Sequence, residues 1–183
     1  MARFPEVFTI EEKKVDDEQL ERLLERALQE AATKFVESRV LEGERLKEDL
    51  VAKLDEMLVQ VAFIEERYPA LLKEYQEKLE DKIHELLEGI TVDDTRIATE
   101  VAIYADKICV DEETVRLRSH IENTKTTLLE GGCVGRKLDF IAQEMNREAN
   151  TILSKANSLD ITNAAITLKT EIEKVREQIQ NIE

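Results

Sequence analysis

From Asp16 onward, apolar side chains recur at every third or fourth position. Leu20, Leu24, Ala27, Ala31 and Phe35 form one series, and Leu46, Leu50, Leu54, Met57, Val61, Ile64 and Tyr68 continue it. This spacing is the stripe of an amphipathic helix. Gly43 interrupts it at a cost of about 1 kcal/mol relative to alanine, but no turn residues surround it. The pattern therefore predicts one helix of about 50 residues, roughly 75 Å at 1.5 Å per residue, which Pro69 is expected to end or kink. A second stripe follows, with Leu72, Tyr75, Leu79, Ile83, Leu86 and Ile90 on one face, closed by Gly89. Two long helices joined near Pro69 read as an antiparallel hairpin.

Beyond the hairpin the elements shorten. Asp93 or Asp94 can cap a helix carrying Ile97, Val101, Tyr104 and Ile108, and Asp111 can cap the next, with Glu112 and Glu113 in its first turn. That helix is expected to bury Val115, Leu117, Ile121 and Leu128 and to stop at Gly131-Gly132. Another runs from near Gly135 to about Asn157. Asp160 introduces the last, carrying Ile161, Ala165, Leu168, Ile172, Val175 and Ile179. Ahead of all of them, Phe4-Pro5-Glu6-Val7-Phe8-Thr9-Ile10 is aromatic and β-branched and reads as an extended segment. The expected class is all-α: a linker over 1–14, a long helical hairpin over 15–92, and a compact C-terminal helical bundle over 93–183.

Composition supports this class and adds a charge. Five glycines and two prolines in 183 residues leave few turns for a many-stranded sheet. The charge-free runs are too short for a membrane span of ~20 residues, no basic-plus-apolar leader opens the chain, and Cys109 and Cys133 form no CxxC pair. Reduced thiols and a cytoplasmic location are expected. The net charge of −15 is uneven: residues 1–94 hold 14 basic and 26 acidic residues, and residues 95–183 hold 12 and 15. The second half would repel an anionic partner least.

Two stretches carry candidate chemistry. On the predicted helix from Gly135, Leu138, Ile141, Ala142, Met145, Ala149, Ile152, Leu153 and Ala156 form one apolar face at 100° per residue. The other side divides into a row with Lys137, Glu144, Arg147, Glu148, Thr151 and Lys155, and a row with Asp139, Gln143, Asn146, Asn150, Ser154 and Asn157. Asn, Ser and Thr are poor helix formers at surface positions, so their hydrogen-bonding groups are expected to serve something: a buried network between helices, a ligand or metal site, or both. On the preceding helix, Glu113, Arg116 and His120 stand at i, i+3 and i+7. An isolated histidine is most often a surface or core residue, but imidazole near carboxylates can also bind a divalent metal or move a proton. Other motifs fail. His84-Glu85 lacks the second histidine of a zinc protease, Gly131-Gly132-Cys133-Val134-Gly135 reads as an interhelical loop, and no aromatic-rich basic platform for stacking RNA bases is present.

The run Gly135-Arg136-Lys137-Leu138-Asp139-Phe140, then Gln143 through Thr151, then Ser154-Lys155, resembles the signature of the bacterial YicC/YloC proteins. The ending Arg176 to Glu183 fits as well, as do Glu112-Glu113, Arg116-Leu117, Ser119-His120, Glu42-Gly43 and Leu46. One departure is Cys109, where the family often has aspartate. The resemblance implies a metal-dependent endoribonuclease that assembles into ring-like homo-oligomers, with six copies expected, and acts in RNA turnover; full-length members carry a further N-terminal domain. It implies Mn²⁺ or Mg²⁺ held by oxygen ligands, with Glu113, Glu144 and Glu148 as candidate ligands and Glu144, Glu148 and His120 as candidate catalytic groups. Arg116, Arg136, Lys137, Arg147 and Lys155 would hold RNA phosphates. A non-catalytic adaptor or scaffold for partner proteins of RNA decay is the alternative, and no membrane association is expected.

Overall fold

The structure, a computed structural model, describes residues 16–86 and 94–182. Among them five helices and no strands occur: α1 (Asp17–Leu86), α2 (Asp94–Ile108), α3 (Asp111–Glu130), α4 (Gly135–Lys155) and α5 (Leu159–Ile179). The all-α class is as the apolar periodicity predicts. No helix among the described residues is long and apolar enough to cross a membrane. The linker over 1–14, the closing Gly89 and the expected division at 92/93 lie outside the described residues.

The turn at Pro69 is corrected. α1 is helical through Pro69, so the two expected helices are one element. A proline removes one amide and crowds one preceding carbonyl; alone it does not supply the chain reversal that a hairpin needs. No Gly, Asn, Asp or Ser accompanies it, because Arg67 and Tyr68 precede it and Ala70, Leu71 and Leu72 follow. Pro69 is exposed, so the Glu65 carbonyl deprived of its amide partner can be met by water. Arg67 also bonds Glu74 at 2.7 Å, two turns along the same face of the continuous helix. This guanidinium holds the Glu74 carboxyl below its usual range.

The chain divides into two units with their boundary inside α1, at Glu44/Arg45. The first unit contains the stripe Leu20, Leu24, Ala27, Ala31 and Phe35, and here the stripe is exposed, with Phe35 at 66%. In the second unit the stripe is core: Leu50, Leu54, Met57, Val61 and Ile64 are buried with Leu117 and Ile121 of α3, Leu138, Met145 and Ile152 of α4, and Leu168, Ile172 and Val175 of α5. Each of these large side chains contributes about 1.5–3 kcal/mol on burial. Val115, expected inside, is 64% exposed. It lies two residues from Leu117 on the helix, which places it on a different side.

Polar contacts bind the second unit at its rim. Arg118 of α3 pairs with Glu65 of α1 at 2.7 Å, and Lys125 pairs with Asp55. Tyr68 donates to the Ala105 carbonyl of α2 at 2.7 Å, and Tyr75 stacks on Tyr104 with centroids 3.7 Å apart. Gly135 opens α4 against the end of the chain, where a Cβ would come within 2.5 Å of the Ile182 carbonyl oxygen. Two caps differ from expectation. α3 is capped by Val110, with Asp111, Glu112 and Glu113 forming its first turn, and α5 is capped by Ser158, whose Oγ accepts from the Ile161 amide. In both helices the carboxylates still face the positive end of the dipole.

If α1 is continuous through Pro69, Pro69→Ala restores the missing amide and should stabilise the second unit by between about 1 and 3 kcal/mol. Urea denaturation followed by circular dichroism measures this; an unchanged or lowered midpoint would argue for a chain reversal at this position.

Candidate functional site

The site grows from the packing of α3 on α4. The loop Gly131–Val134 is short, and Gly131 and Gly132 adopt φ of 70° and 86°, a backbone region open to glycine at little cost. It turns the chain so that the two helices run antiparallel. Their apolar faces meet in the core, and beside that seam a line of charged side chains crosses from one helix to the other.

Near the start of α3 and the end of α4, Lys155 Nζ donates to Glu113 Oε1 at 2.8 Å and to the Cys109 carbonyl oxygen at 2.9 Å. Glu113 is only 8% exposed. One turn further along α3, Arg116 pairs with Glu112 and lies 3.9 Å from Glu148, which is only 6% exposed. In this antiparallel register His120, one turn beyond Arg116, is level with Glu144, one turn before Glu148. His120 is half-buried, and its carbonyl accepts from the Thr124 hydroxyl at 2.9 Å. Glu144, also half-buried, lies 3.8 Å from Arg147 of its own helix. Burial of Glu113 and Glu148 is tolerable because each has a cationic partner; a carboxylate without one would be strongly penalised.

The structure thus brings together Glu113, Arg116, Glu148 and Lys155, with His120 and Glu144 along the same seam. Arg136 and Arg147 are exposed on the outer side of α4, and Lys137, also exposed, is in line with Glu148 and Lys155 but about five turns from Lys155, near the start of the helix. Arg136 lines a cavity of about 550 Å³ with Cys133, Asp139 and Ile182 at the start of the helix. Among the described residues, no group of three or more His, Cys, Asp or Glu side chains is placed to hold a metal ion. The carboxylates present are engaged with cations, so the described residues of one chain do not by themselves fit a divalent ion.

The polar row of α4 is not a buried network. Gln143, Asn150, Ser154 and Asn157 are exposed, and Asn146 is half-buried. Most of their bonds are local: Gln143 donates to Asp139 at 2.7 Å, and Ser154 to the Thr151 carbonyl at 2.8 Å. Asn157 reaches another helix, donating to the Tyr104 hydroxyl at 3.2 Å.

Two participants escaped the sequence reading. The Cys109 carbonyl holds Lys155 through its backbone, which residue type does not signal. Tyr68, read as part of the apolar stripe, turns its hydroxyl to Ala105; burial, and secondarily the nearness of Cys109, push it up to about 12. A tyrosine at the edge of the stripe is the available signal, since buried tyrosine hydroxyls usually find partners.

Lys155→Met should destabilise the chain by about 1–3 kcal/mol by leaving Glu113 buried without its cation; the lysine is one-third exposed, so water offsets part of the loss. Adding Glu113→Gln to Lys155→Met should recover much of that loss, because no charge is then stranded. Additive losses in urea denaturation would mean that the pair is not coupled.

The residues of this seam fall within a segment, 64–183, that matches the family described as "Endoribonuclease YicC-like, C-terminal". All of the chain aligns with the "Probable endoribonuclease YicC" of Clostridioides difficile (strain 630), at 45% identity over 184 residues and 63% of that protein. It aligns equally fully with the "Probable endoribonuclease YicC" of Haemophilus influenzae, at 38% identity over 183 residues and 62% of that protein. The chain thus spans under two thirds of the length of these relatives. On the family match and on identity sustained across its whole length, the chain belongs to the YicC-like endoribonuclease family.

Proposed function

We propose that this chain is the C-terminal portion of a metal-dependent endoribonuclease that cleaves RNA phosphodiester bonds. The observation that carries the reading is the Glu148–Arg116 arrangement, in a chain of this family. A nearly buried carboxylate is held beside an exposed guanidinium, with a second glutamate and a half-buried histidine along the same seam. A carboxylate there can withdraw a proton from an attacking oxygen, and Arg116 can meet the charge that develops on phosphate. Glu144 and Glu148 are the proposed bases, and His120 is the proposed proton donor to the leaving oxygen.

RNA phosphates would be held by Arg116, Arg136, Lys137 and Arg147. Lys155 is committed to Glu113, so it serves phosphate only in competition with that carboxylate. Mn²⁺ or Mg²⁺ belongs to this proposal as a requirement of the longer protein. Glu113, Glu144 and Glu148 are its candidate oxygen ligands on this chain, and further donors have to come from beyond the described residues.

The proposal includes a homo-oligomer, with six copies in the full-length protein. Its support is the exposed stripe of the first unit, where Leu20, Leu24 and Phe35 would otherwise face water on a helix that packing has to stabilise. Light scattering of the 183-residue chain at micromolar concentration should give a multiple of 21.1 kDa. A monomer mass would remove this part of the proposal.

In a full-length parent, Glu144→Gln and Glu148→Gln should each lower Mn²⁺-dependent RNA cleavage by a factor on the order of 100 or more. Circular dichroism should confirm retained helicity, and RNA binding should persist because the phosphate contacts are basic. Unchanged cleavage by both variants would reject this site. Failure of every full-length preparation to cut RNA, with binding to proteins of RNA decay retained, would favour the adaptor instead.

A further inference from the structure

We propose that the outer face of α4 binds single-stranded RNA, with one base stacked on the ring of Phe140. This rests on the ribonuclease reading and adds to it the strand state of the ligand and a contact residue. At 100° per residue, Arg136, Phe140, Gln143, Arg147, Asn150 and Ser154 lie within about 40° of one line along the helix. All six are exposed. None is acidic, in a chain with a net charge of −15. Of the carboxylates that flank the line, Asp139 accepts from Gln143 at 2.7 Å and from Arg176 at 3.3 Å, and Glu144 lies 3.8 Å from Arg147, so Arg147 serves phosphate in competition with that carboxylate.

Phe140 is 63% exposed, whereas Leu138, Ile141, Ala142 and Met145 around it in sequence are buried. Its ring is on the opposite side of the helix from the core, so packing within the chain does not account for it. Arg136 stands one turn before it and Gln143 one turn after, both within neighbouring reach on a helix surface. The chemistry of this line selects its occupant. Guanidinium groups hold phosphates and stack on bases, an aromatic ring stacks on a base face, and amides pair with base edges. A duplex keeps its base faces stacked inside and offers nothing to the ring. A second copy of the chain would find a single ring here, among five polar or charged residues. Polyanion with accessible base faces is the complementary partner. A single ring implies a single stacked base and not the multi-ring platform absent from the sequence.

The chain has no tryptophan, so Phe140→Trp introduces the only indole. Its fluorescence should be quenched saturably by a short oligouridylate, but not by a duplex of the same length or by an abasic sugar-phosphate oligomer. Phe140→Ala should weaken binding of the oligouridylate, followed by fluorescence anisotropy, roughly 5- to 100-fold, and Phe140→Tyr should restore it. All three variants should keep wild-type helicity, because the side chain is outside the core.

Wild-type affinity in Phe140→Ala, or equal quenching by the abasic oligomer, would overturn the stacking inference. Where the wild-type protein still binds and cuts RNA, that failure leaves the ribonuclease reading intact. If wild-type protein neither binds nor cuts RNA, both fall. A change in oligomer mass on Phe140→Ala without a change in RNA affinity would assign the face to a second copy and overturn the inference.

Discussion

The arrangement depends on the burial of the apolar face of α4. That face is wide enough to be covered from two directions, by Leu117 and Ile121 of α3 and by Leu168, Ile172 and Val175 of α5, with Leu54, Met57 and Val61 of α1 completing the core. Several fully buried large side chains in one helix set its rotation about its own axis, since turning it would expose them at about 25 cal/mol for each Å² uncovered. Once the rotation is set, every polar residue of α4 has a determined direction. Glu148 and Lys155 fall beside α3, Asp139 falls beside α5, and Arg136, Phe140 and Arg147 face outward.

The charged seam follows from that constraint. Glu113 and Glu148 are nearly buried because the apolar seam next to them is closed, and each is accompanied by a cation from the facing helix. Such pairs are weak contributors to net stability, because desolvation offsets much of the attraction. They fix which carboxylate meets which cation, Glu113 with Lys155 and Glu148 with Arg116. The Cys109 carbonyl adds a backbone acceptor for Lys155 just before α3 begins. The seam therefore keeps carboxylate, guanidinium and ammonium groups in fixed order at the border between core and solvent, a border where a charged group can still reach a ligand.

The two units differ in what the same kind of stripe does. In the second unit the α1 stripe is covered by other helices of the chain, and its charged flanks are tied by Arg118–Glu65 and Arg67–Asp160. In the first unit the stripe is equally regular and remains exposed. Periodicity describes what a helix needs to bury, and coverage depends on which neighbours the fold supplies.

The sequence by itself determined the helical class and most of the buried faces of α4 and α5, although Leu153 and Ala156 are only half-buried and Glu148 and Ala164 are buried beyond the expected sets. These are properties of spacing along one helix, and a helix converts spacing into direction without reference to anything else. The continuity of α1 through Pro69 was not legible, because a lone proline lowers helix stability locally and the outcome depends on whether flanking packing compensates. Val115 was misplaced against the helical spacing itself: two residues from Leu117 is about 200° around the helix, on the side away from the core. The engagement of Glu113 with Lys155, and the outward exposure of Phe140 and of the amide row, were decided only by tertiary structure. They depend on which helix faces which, in what register, and on how much of each surface the packing leaves to water.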